Sequence, residues 1–486
     1  MEKIIARNID EVNIQITCDE GISWELREAF SFKVPGYQFH PQYKARLWTG
    51  DIRLYNIVTR MIYRGLIPHI EKFCKDRGYE FEYETDENDL EFSLKEAEQF
   101  IETLNLPIIP RDYQIEAFVH SIRKRRLVLL SPTASGKSLI IYLIVRYLHD
   151  VLSKNRTLLV VPTINLVTQL TSDFSEYGFD VDGNVHNIYG GQDKETNRPI
   201  TITTWQSIHR LPKSYFETFD SVIGDECHLF KAKSLISIMT NLVNANYRIG
   251  TTGTLDGTKT HRLVLEGLFG SVNKVTTTKK LMDQGHVSDF EIKCLLLKHS
   301  DETGKLIKKA TYQEEIQYLV ENKNRNRFIK NLTLSLKTNT LVLFNYVSHG
   351  QALHKLINSE SDGRKVFLVY GKTEGDAREE VRRIVEGETD AIIVASFGVF
   401  STGVNIKNLH NIIFASPSKS RIRNLQSIGR GLRLAENKEK ATLYDIADNI
   451  SYKKHVNYTL EHFQERLRIY SEEKFAFKIY HINLKE

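Results

Sequence analysis

Residues 131–138 read SPTASGKS, set between the apolar run RLVLL (126–130) and the apolar-periodic LIIYLIVRYL (139–148). A short apolar run, a Gly-Lys-Ser turn and a helical period predict strand, loop and helix, the context a phosphate-binding loop requires. Gly136 lets the backbone curl, so that N–H groups from Thr133, Ala134, Ser135 and Gly136 itself can point at phosphate oxygens. Lys137 can neutralise the β- and γ-phosphates, and the Ser138 hydroxyl can take a Mg²⁺ position. The general pattern opens on glycine; here that position is Ser131. Such a loop implies a chain that uses ATP or GTP.

Outward from the loop, short apolar runs alternate with helical stretches: RLVLLS, TLLVVPT, ITITTW, SVIGDE and YRIGTTGT. Runs of this kind suit strands buried on both faces of a parallel sheet. A second series follows, NTLVLFN, KVFLVYG, AIIVAS, NIIFAS and ATLYDIAD. The expected fold is therefore α/β, with two similar parallel-sheet domains, residues 97–275 and 276–450, joined near TTTKKLMDQG. Before them, residues 1–96 predict a small α/β domain, with strands in VNIQITC and YEFEYE and a helix around WELREAF. LKEAEQFIETLNLPIIP reads as a helix running into a proline-marked connector. The tail, 451–486, reads as helix and carries seven aromatic and seven Lys or Arg residues. It either caps the second domain or touches nucleic acid.

Two further motifs turn the loop into a candidate catalytic site. VIGDECHL (222–229) ends an apolar strand on adjacent carboxylates. Such a pair divides the work, Asp225 holding Mg²⁺ while Glu226 orients and deprotonates the attacking water. LQSIGRGLR (425–433), read as helix, projects Gln426, Arg430 and Arg433 from one face. Arginines delivered to a γ-phosphate accelerate hydrolysis by roughly 10³–10⁵ in characterised systems. The bland readings are a solvated strand end and a solvated basic face.

Composition narrows the class. Of 486 residues, 41% are hydrophobic and 26% charged, an ordinary soluble balance. No apolar run reaches the ~20 residues of a membrane span, so no membrane association and a cytoplasmic location are expected. The four cysteines, Cys18, Cys74, Cys227 and Cys294, form no CxxC pair, which speaks against a zinc site and fits a reducing compartment. A net charge of +5 permits a nucleic-acid partner without demanding one.

Taken in order, the motifs from RDYQ to QSIGRGLR resemble those of superfamily 2 helicases, over residues 111–433. The resemblance implies that Arg111, Tyr113 and Gln114 of RDYQ read adenine. VVPTINLVTQL and ITTWQS resemble first-domain segments that hold nucleic-acid backbone, which implies Thr163, Gln169, Thr204 and Gln206 near one stretch of strand. LFNYVSHG and FSTGVNI resemble their second-domain counterparts, which implies Ser348 and Thr402 near another stretch, with Gly403 beside the nucleotide. TTGT (251–254) is similar to the motif that couples hydrolysis to strand movement, through Thr252 and Thr254. The second motif ends Cys-His, not Ala-Asp, so His228 stands at the coupling position; a lone histidine is otherwise more often structural. With the N-terminal FSFKVPGYQFHPQYKARLWTGDIRLYN, these features are similar to the bacteriophage UvsW-type DNA helicases. That implies ATP and Mg²⁺ as cofactors, and DNA as partner, preferentially forks and four-way junctions, with RNA–DNA hybrids as a further substrate.

The N-terminal stretch interleaves Tyr37, Phe39, Tyr43, Trp48 and Tyr55 with Lys33, Lys44, Arg46 and Arg53. Cations hold phosphates while aromatics stack on bases or pack a turn; Lys44, Arg46 and Trp48 are the candidate contacts. RKRR (123–126) reads as a solvated face. Two other functions stay open on sequence: an RNA helicase, since motor motifs contact sugar-phosphate backbone, and a nucleotide-gated motor subunit that acts with a partner.

Overall fold

The computed structural model of the chain describes residues 2–34, 36–85, 90–230, 232–255, 258–403, 406, 408–416, 420, 427–429 and 440–484. It divides into two compact units, residues 1–131 with 136–275, and residues 132–135 with 276–486.

The first unit is built on a seven-stranded sheet. In spatial order its strands are Val272–Lys274, Arg126–Leu130, Tyr247–Thr252, Ser221–Asp225, Thr157–Val161, Ile200–Thr204 and Val185–Ile188. Every pairing is parallel. Thr157–Val161, Ile200–Thr204, Ser221–Asp225 and Tyr247–Thr252 are buried at every position, which explains why they read as unbroken apolar runs. Each fully buried Val, Leu or Ile contributes roughly 1.5–3 kcal/mol. The Ser221–Asp225 and Arg126–Leu130 strands are not neighbours; Tyr247–Thr252 lies between them.

The second unit repeats the plan. Its seven parallel strands run Val366–Val369, Ile392–Ser396, Thr340–Phe344, Asn411–Phe414, Lys440–Asn449, Asp289–Lys298 and Ala476–Asn483. The two sheets are tandem RecA-like domains. The tail departs from its helical reading: after the helix Tyr458–Glu472 it ends in the strand Ala476–Asn483, in register with Asp289–Lys298. The alternation in AFKIYHIN is that of a half-buried edge strand, easily missed behind a stretch rich in lysine and glutamate. The helix is anchored by a buried pair, with Arg466 Nε donating to Asp445 Oδ2 at 2.8 Å and Tyr470 Oη to the same oxygen at 2.9 Å. The tail is thus an integral part of the second sheet and its covering layer.

Within the first unit the N-terminal segment forms its own four-stranded sheet, Met61–Tyr63, Asn13–Thr17, Lys3–Asn8 and Glu80–Glu84 in spatial order. A two-stranded hairpin, Ser31–Lys33 with Asp51–Arg53, stands apart from it. The expected boundary at residue 96 falls inside the helix Leu94–Thr103, whose Ala97 packs with Phe92 and Phe118 in the motor core. The N-terminal sheet therefore ends with Glu80–Glu84. It shares one apolar core with the motor sheet, in which Ile70, Phe73, Leu263, Leu268 and Phe269 belong to a single cluster. Gly65 lies so close to the carbonyls of Glu266 and Gly267 that a β-carbon would collide with both. Buried Glu266 accepts from His69 Nε2 at 2.7 Å and from Arg262 Nε at 3.0 Å. Burial works to raise its carboxyl, but His69 and Arg262 outweigh that and lower it.

Candidate functional site

The phosphate loop leaves the Arg126–Leu130 strand and enters the helix Lys137–Asp150. Ser131 is buried, and its N–H donates to the Thr252 carbonyl at 2.9 Å. It continues the strand and makes no left-handed turn there, so the glycine usual at this position is dispensable. The left-handed residues are Ala134 (φ 67°) and Gly136 (φ 76°). Gly136 is required twice over, by that φ and because a β-carbon would collide with the Gln114 amide.

Gln114 is buried and braces the loop: its side-chain oxygen accepts from the Arg111 N–H at 2.8 Å and its amide donates to the Gly136 carbonyl at 3.4 Å. Tyr113 is also buried, with Arg111 donating to its hydroxyl at 2.9 Å. RDYQ is thus packed against the phosphate loop, a role its resemblance alone did not imply.

Parallel pairing brings the remaining groups together. Asp225 lies opposite Thr251 in register, and Thr252 opposite Leu130. Lys137 Nζ donates to Glu226 Oε1 at 2.9 Å. Thr251 Oγ1 donates to Asp225 Oδ1 at 2.7 Å; sequence reading passed over Thr251, although the strand order places it beside the carboxylate. Glu226 sits at φ 49°, in the left-handed region that a residue with a β-carbon adopts only at a cost. His228 Nδ1 is 3.2 Å from Glu226 Oε2 and 2.9 Å from Thr252 Oγ1. Thr252 Oγ1 in turn lies 3.0 Å from the Thr254 carbonyl. The three coupling candidates form one chain of polar contacts from the carboxylate to the TTGT turn.

The charges depend on one another. Burial works to lower the Lys137 ammonium, but Glu226 and Asp225 beside it prevail and raise it. Burial likewise opposes the Glu226 carboxylate, yet Lys137 and then His228 hold it well below its usual range. For Asp225 burial dominates and raises the carboxyl, with Lys137 pulling the other way. One carboxylate is strongly held as an anion and its neighbour less so.

The strand-contact candidates lie at the C-terminal ends of adjacent strands. Thr163 follows Thr157–Val161, and Thr204 closes the neighbouring Ile200–Thr204. Gln206 Nε2 reaches the Pro162 carbonyl at 3.5 Å, so the two motifs share a ledge. Gln169 is exposed on the helix Ile164–Glu176. Among the described residues, the buried Thr163 and Thr254 hydroxyls have no hydrogen-bond partner. In the second unit, Ser348 is exposed near the start of the helix Val347–Asn358, and Thr402 and Gly403 end the helix Phe397–Gly403. The side chains of Thr402 and Gly403, and all of Gln426, Arg430 and Arg433, lie outside the described residues.

The N-terminal hairpin is part packing and part exposed surface. Tyr55 is core, with its hydroxyl 2.8 Å from Ser23 Oγ. Trp48 is half-buried, donating from Nε1 to the Asp51 carbonyl at 3.0 Å, with the His40 ring packed edge to face against it at 5.2 Å. Tyr37 and Tyr43 pack edge to face at 4.8 Å. Lys44 and Arg46 are exposed, as are Phe39 (77%) and Leu47 (82%). The aromatic framework thus presents cations and two apolar tips.

A phosphate loop and a paired acid, linked through a threonine turn on one of two tandem RecA-like sheets, define a motor of the superfamily 2 helicase class. Residues 107–257 match the family model of the type III restriction enzyme res subunit. Residues 323–435 match the helicase conserved C-terminal domain, and 4–84 the N-terminal domain of DNA helicase UvsW. The chain is 36% identical to the ATP-dependent DNA helicase uvsW of Enterobacteria phage T4, over 98% of each. The crystal structure of T4 UvsW superposes with a TM-score of 0.54 at 33% identity, covering 99% of this chain and 100% of that one. A DNA 3'-5' translocase, XPB2 of Sulfurisphaera tokodaii, is 26% identical over 74% of this chain and 87% of its own. The chain belongs to the UvsW family of ATP-dependent DNA helicases.

Proposed function

We propose that this helicase uses ATP to translocate along DNA and to remodel branched DNA, forks, four-way junctions and RNA–DNA hybrids, in recombination, repair and replication. The observation that carries the reading is the shared core between the motor sheet and the N-terminal sheet, whose hairpin exposes Lys44 and Arg46 beside Phe39 and Leu47. Pulling a strand needs only the motor; remodelling a branch needs a second hold. Cations flanking apolar tips suit a duplex end, where phosphates lie beside exposed base faces.

The chemistry follows from the Lys137–Glu226 contact. Lys137 is positioned to move onto the phosphates of bound ATP, which frees Glu226, already an anion, to accept a proton from the attacking water. Thr133, Ala134, Ser135 and Gly136 would supply N–H groups for the phosphates, with Gln426 adding an amide and Arg430 and Arg433 positive charge for the γ-phosphate. Among the described residues no group of three or more His, Cys, Asp or Glu forms a metal cluster. That fits Mg²⁺, which takes one or two protein oxygens and completes its shell with phosphates and water; Ser138 and Asp225 would hold it. Bound there, the ion would screen charge on the phosphate oxygens. The contacts from Glu226 through His228 and Thr252 to the Thr254 carbonyl would carry a change at the hydrolysis site as far as the TTGT turn. No helix of the described residues is long and apolar enough to cross a membrane, which suits work on DNA in the cytoplasm.

The test is the ATPase rate on single-stranded, duplex, forked and four-way DNA, and on RNA of equal length. Forked and four-way DNA should stimulate most. Equal stimulation by plain duplex would overturn the branched-substrate reading, and stronger stimulation by RNA would favour the RNA helicase.

A further inference from the structure

The second unit carries three surface tyrosines that neither the nucleotide chemistry nor the strand motifs use. Tyr312, Tyr346 and Tyr458 are 36%, 43% and 40% exposed, whereas Tyr470 of the same unit is fully buried. Each of the three therefore keeps part of its ring in water. Tyr312 opens the helix Tyr312–Glu321 and Tyr458 the helix Tyr458–Glu472. Their rings meet at 6.1 Å and 84°, with the His462 ring 5.2 Å from Tyr312. Tyr346 precedes the helix Val347–Asn358, whose second residue is Ser348. Burial, then Tyr346, raise the Tyr312 phenol, so these two side chains lie within electrostatic reach.

Sheet topology explains the meeting. Thr340–Phe344 and Lys440–Asn449 both pair in parallel with Asn411–Phe414, which lies between them. Two strand spacings set them about 10 Å apart, with their C-terminal ends on one edge. Tyr346 follows the first strand, and Lys453, Lys454 and Tyr458 follow the other. In open parallel sheets this is the edge at which ligands bind. The platform is held firmly from beneath. Buried Glu315 accepts from Asn457 Nδ2 at 3.0 Å, from the Tyr458 and Thr459 N–H groups at 3.0 and 2.8 Å, and from Thr459 Oγ1 at 2.6 Å. That carboxylate fixes one helix start against the other. Exposed Glu314 is engaged by Thr311 in its own helix cap, and Glu461 lies in the first turn of its helix, where the dipole favours an acid. Lys453 and Lys454 are exposed, Lys453 Nζ lying 5.6 Å over the Tyr452 ring. Fixed rings flanked by cations match the faces and phosphates of unpaired nucleotides, and rings already in place lose little freedom on stacking.

We propose that Tyr312, Tyr346 and Tyr458 form a stacking platform for unpaired bases of a single DNA strand, with Lys453 and Lys454 holding its phosphates. The platform rests on the proposed function and extends the strand path from Ser348. Fluorescence anisotropy tests it on the full chain, with an end-labelled single strand and one of equal length whose bases are replaced by abasic sites. Tyr458→Ala and Tyr346→Ala should each weaken binding of the base-bearing strand roughly fivefold or more and leave the abasic strand unaffected. Tyr458→Phe keeps the ring and should retain binding. Lys453→Ala with Lys454→Ala should weaken both strands, and lower the slope of log affinity against log salt by about 0.7 per lost phosphate contact. The tyrosine side chains are partly exposed and Glu315 bonds the Tyr458 backbone, so the variants should fold; matching thermal midpoints check this. Unchanged binding of the base-bearing strand in both alanine variants, or equal losses on the two strands, would overturn the platform. Fork-stimulated ATPase in the unaltered chain would then leave the proposed function standing, whereas its failure to respond to any DNA would overturn function and platform together.

Discussion

Lys137, Glu226 and His228 form one polar cluster, in which Lys137 and then His228 hold the Glu226 carboxylate low and Glu226 in turn raises the Lys137 ammonium. Lys137→Ala should lower ATP hydrolysis by roughly 10²–10³-fold or more, because alanine cannot screen the β/γ charge. DNA binding should largely survive, since the strand ledge lies elsewhere; near-normal steady-state ATPase would refute the loop assignment. Glu226→Gln should bind ATP with near-unaltered affinity and lose roughly 10²–10⁴ in turnover, since an amide cannot accept the water's proton. Equilibrium nucleotide binding beside kcat separates those effects. His228→Ala removes the link between Glu226 and Thr252. Measured together, ATPase and strand displacement should part company in this variant, with displacement falling further; an equal fall in both would make His228 a packing residue.

At the scale of elements, the close approach of Gly65 to the carbonyls of Glu266 and Gly267, at the end of the helix Lys259–Leu268, fixes the N-terminal sheet on the motor. Gly65→Ala should cost about 1–3 kcal/mol through overpacking, read as a lower midpoint in thermal unfolding. An unchanged midpoint would mean that the joint is loose. In the second unit, His349 on the helix Val347–Asn358 lies 3.2 Å from Ser416 Oγ and 3.0 Å from Asn326 Oδ1. Burial, then the nearby Arg325, push it down to about 3 from 6.5. The unfolded chain therefore binds this proton more readily than the folded one. The contribution to stability is complete above pH 6.5 and falls by about 1.4 kcal/mol per unit as pH drops toward 3. His349→Asn should flatten that part of the curve, compared by denaturant unfolding between pH 7.5 and 5.

At the scale of the molecule, the shared core changes how the N-terminal sheet can be tested. Deleting residues 1–96 would remove the first strands and helices together with Phe92 and part of the helix Leu94–Thr103, and expose Leu263, Leu268 and Phe269. Such a chain should unfold at lower temperature, and lost activity would then report folding. Point variants are cleaner: Lys44→Ala with Arg46→Ala should reduce fork preference over single strands and flatten the salt dependence of binding. Unchanged preference and slope would place branch recognition outside the hairpin.

The motor was legible because its physics is local in sequence. Strands buried on both faces must be continuous apolar runs, and a phosphate loop must put a residue like Gly136 where φ is positive. The acid pair follows because catalytic groups sit at strand ends. The reading went wrong where contacts are remote. AFKIYHIN could not declare its partner Asp289–Lys298, and RKRR, read as a solvated face, could not show that Arg126 would pair with Glu11, over a hundred positions earlier. Thr251 became a partner of Asp225 only through strand order, which no stretch of sequence states. Residue pattern by itself determined two parallel-sheet domains and the nucleotide chemistry, because burial and phosphate binding constrain neighbouring residues. Only the tertiary structure decided how the N-terminal sheet is joined to the motor and which side chains meet at that joint, because those depend on surfaces far apart in the chain that meet on folding.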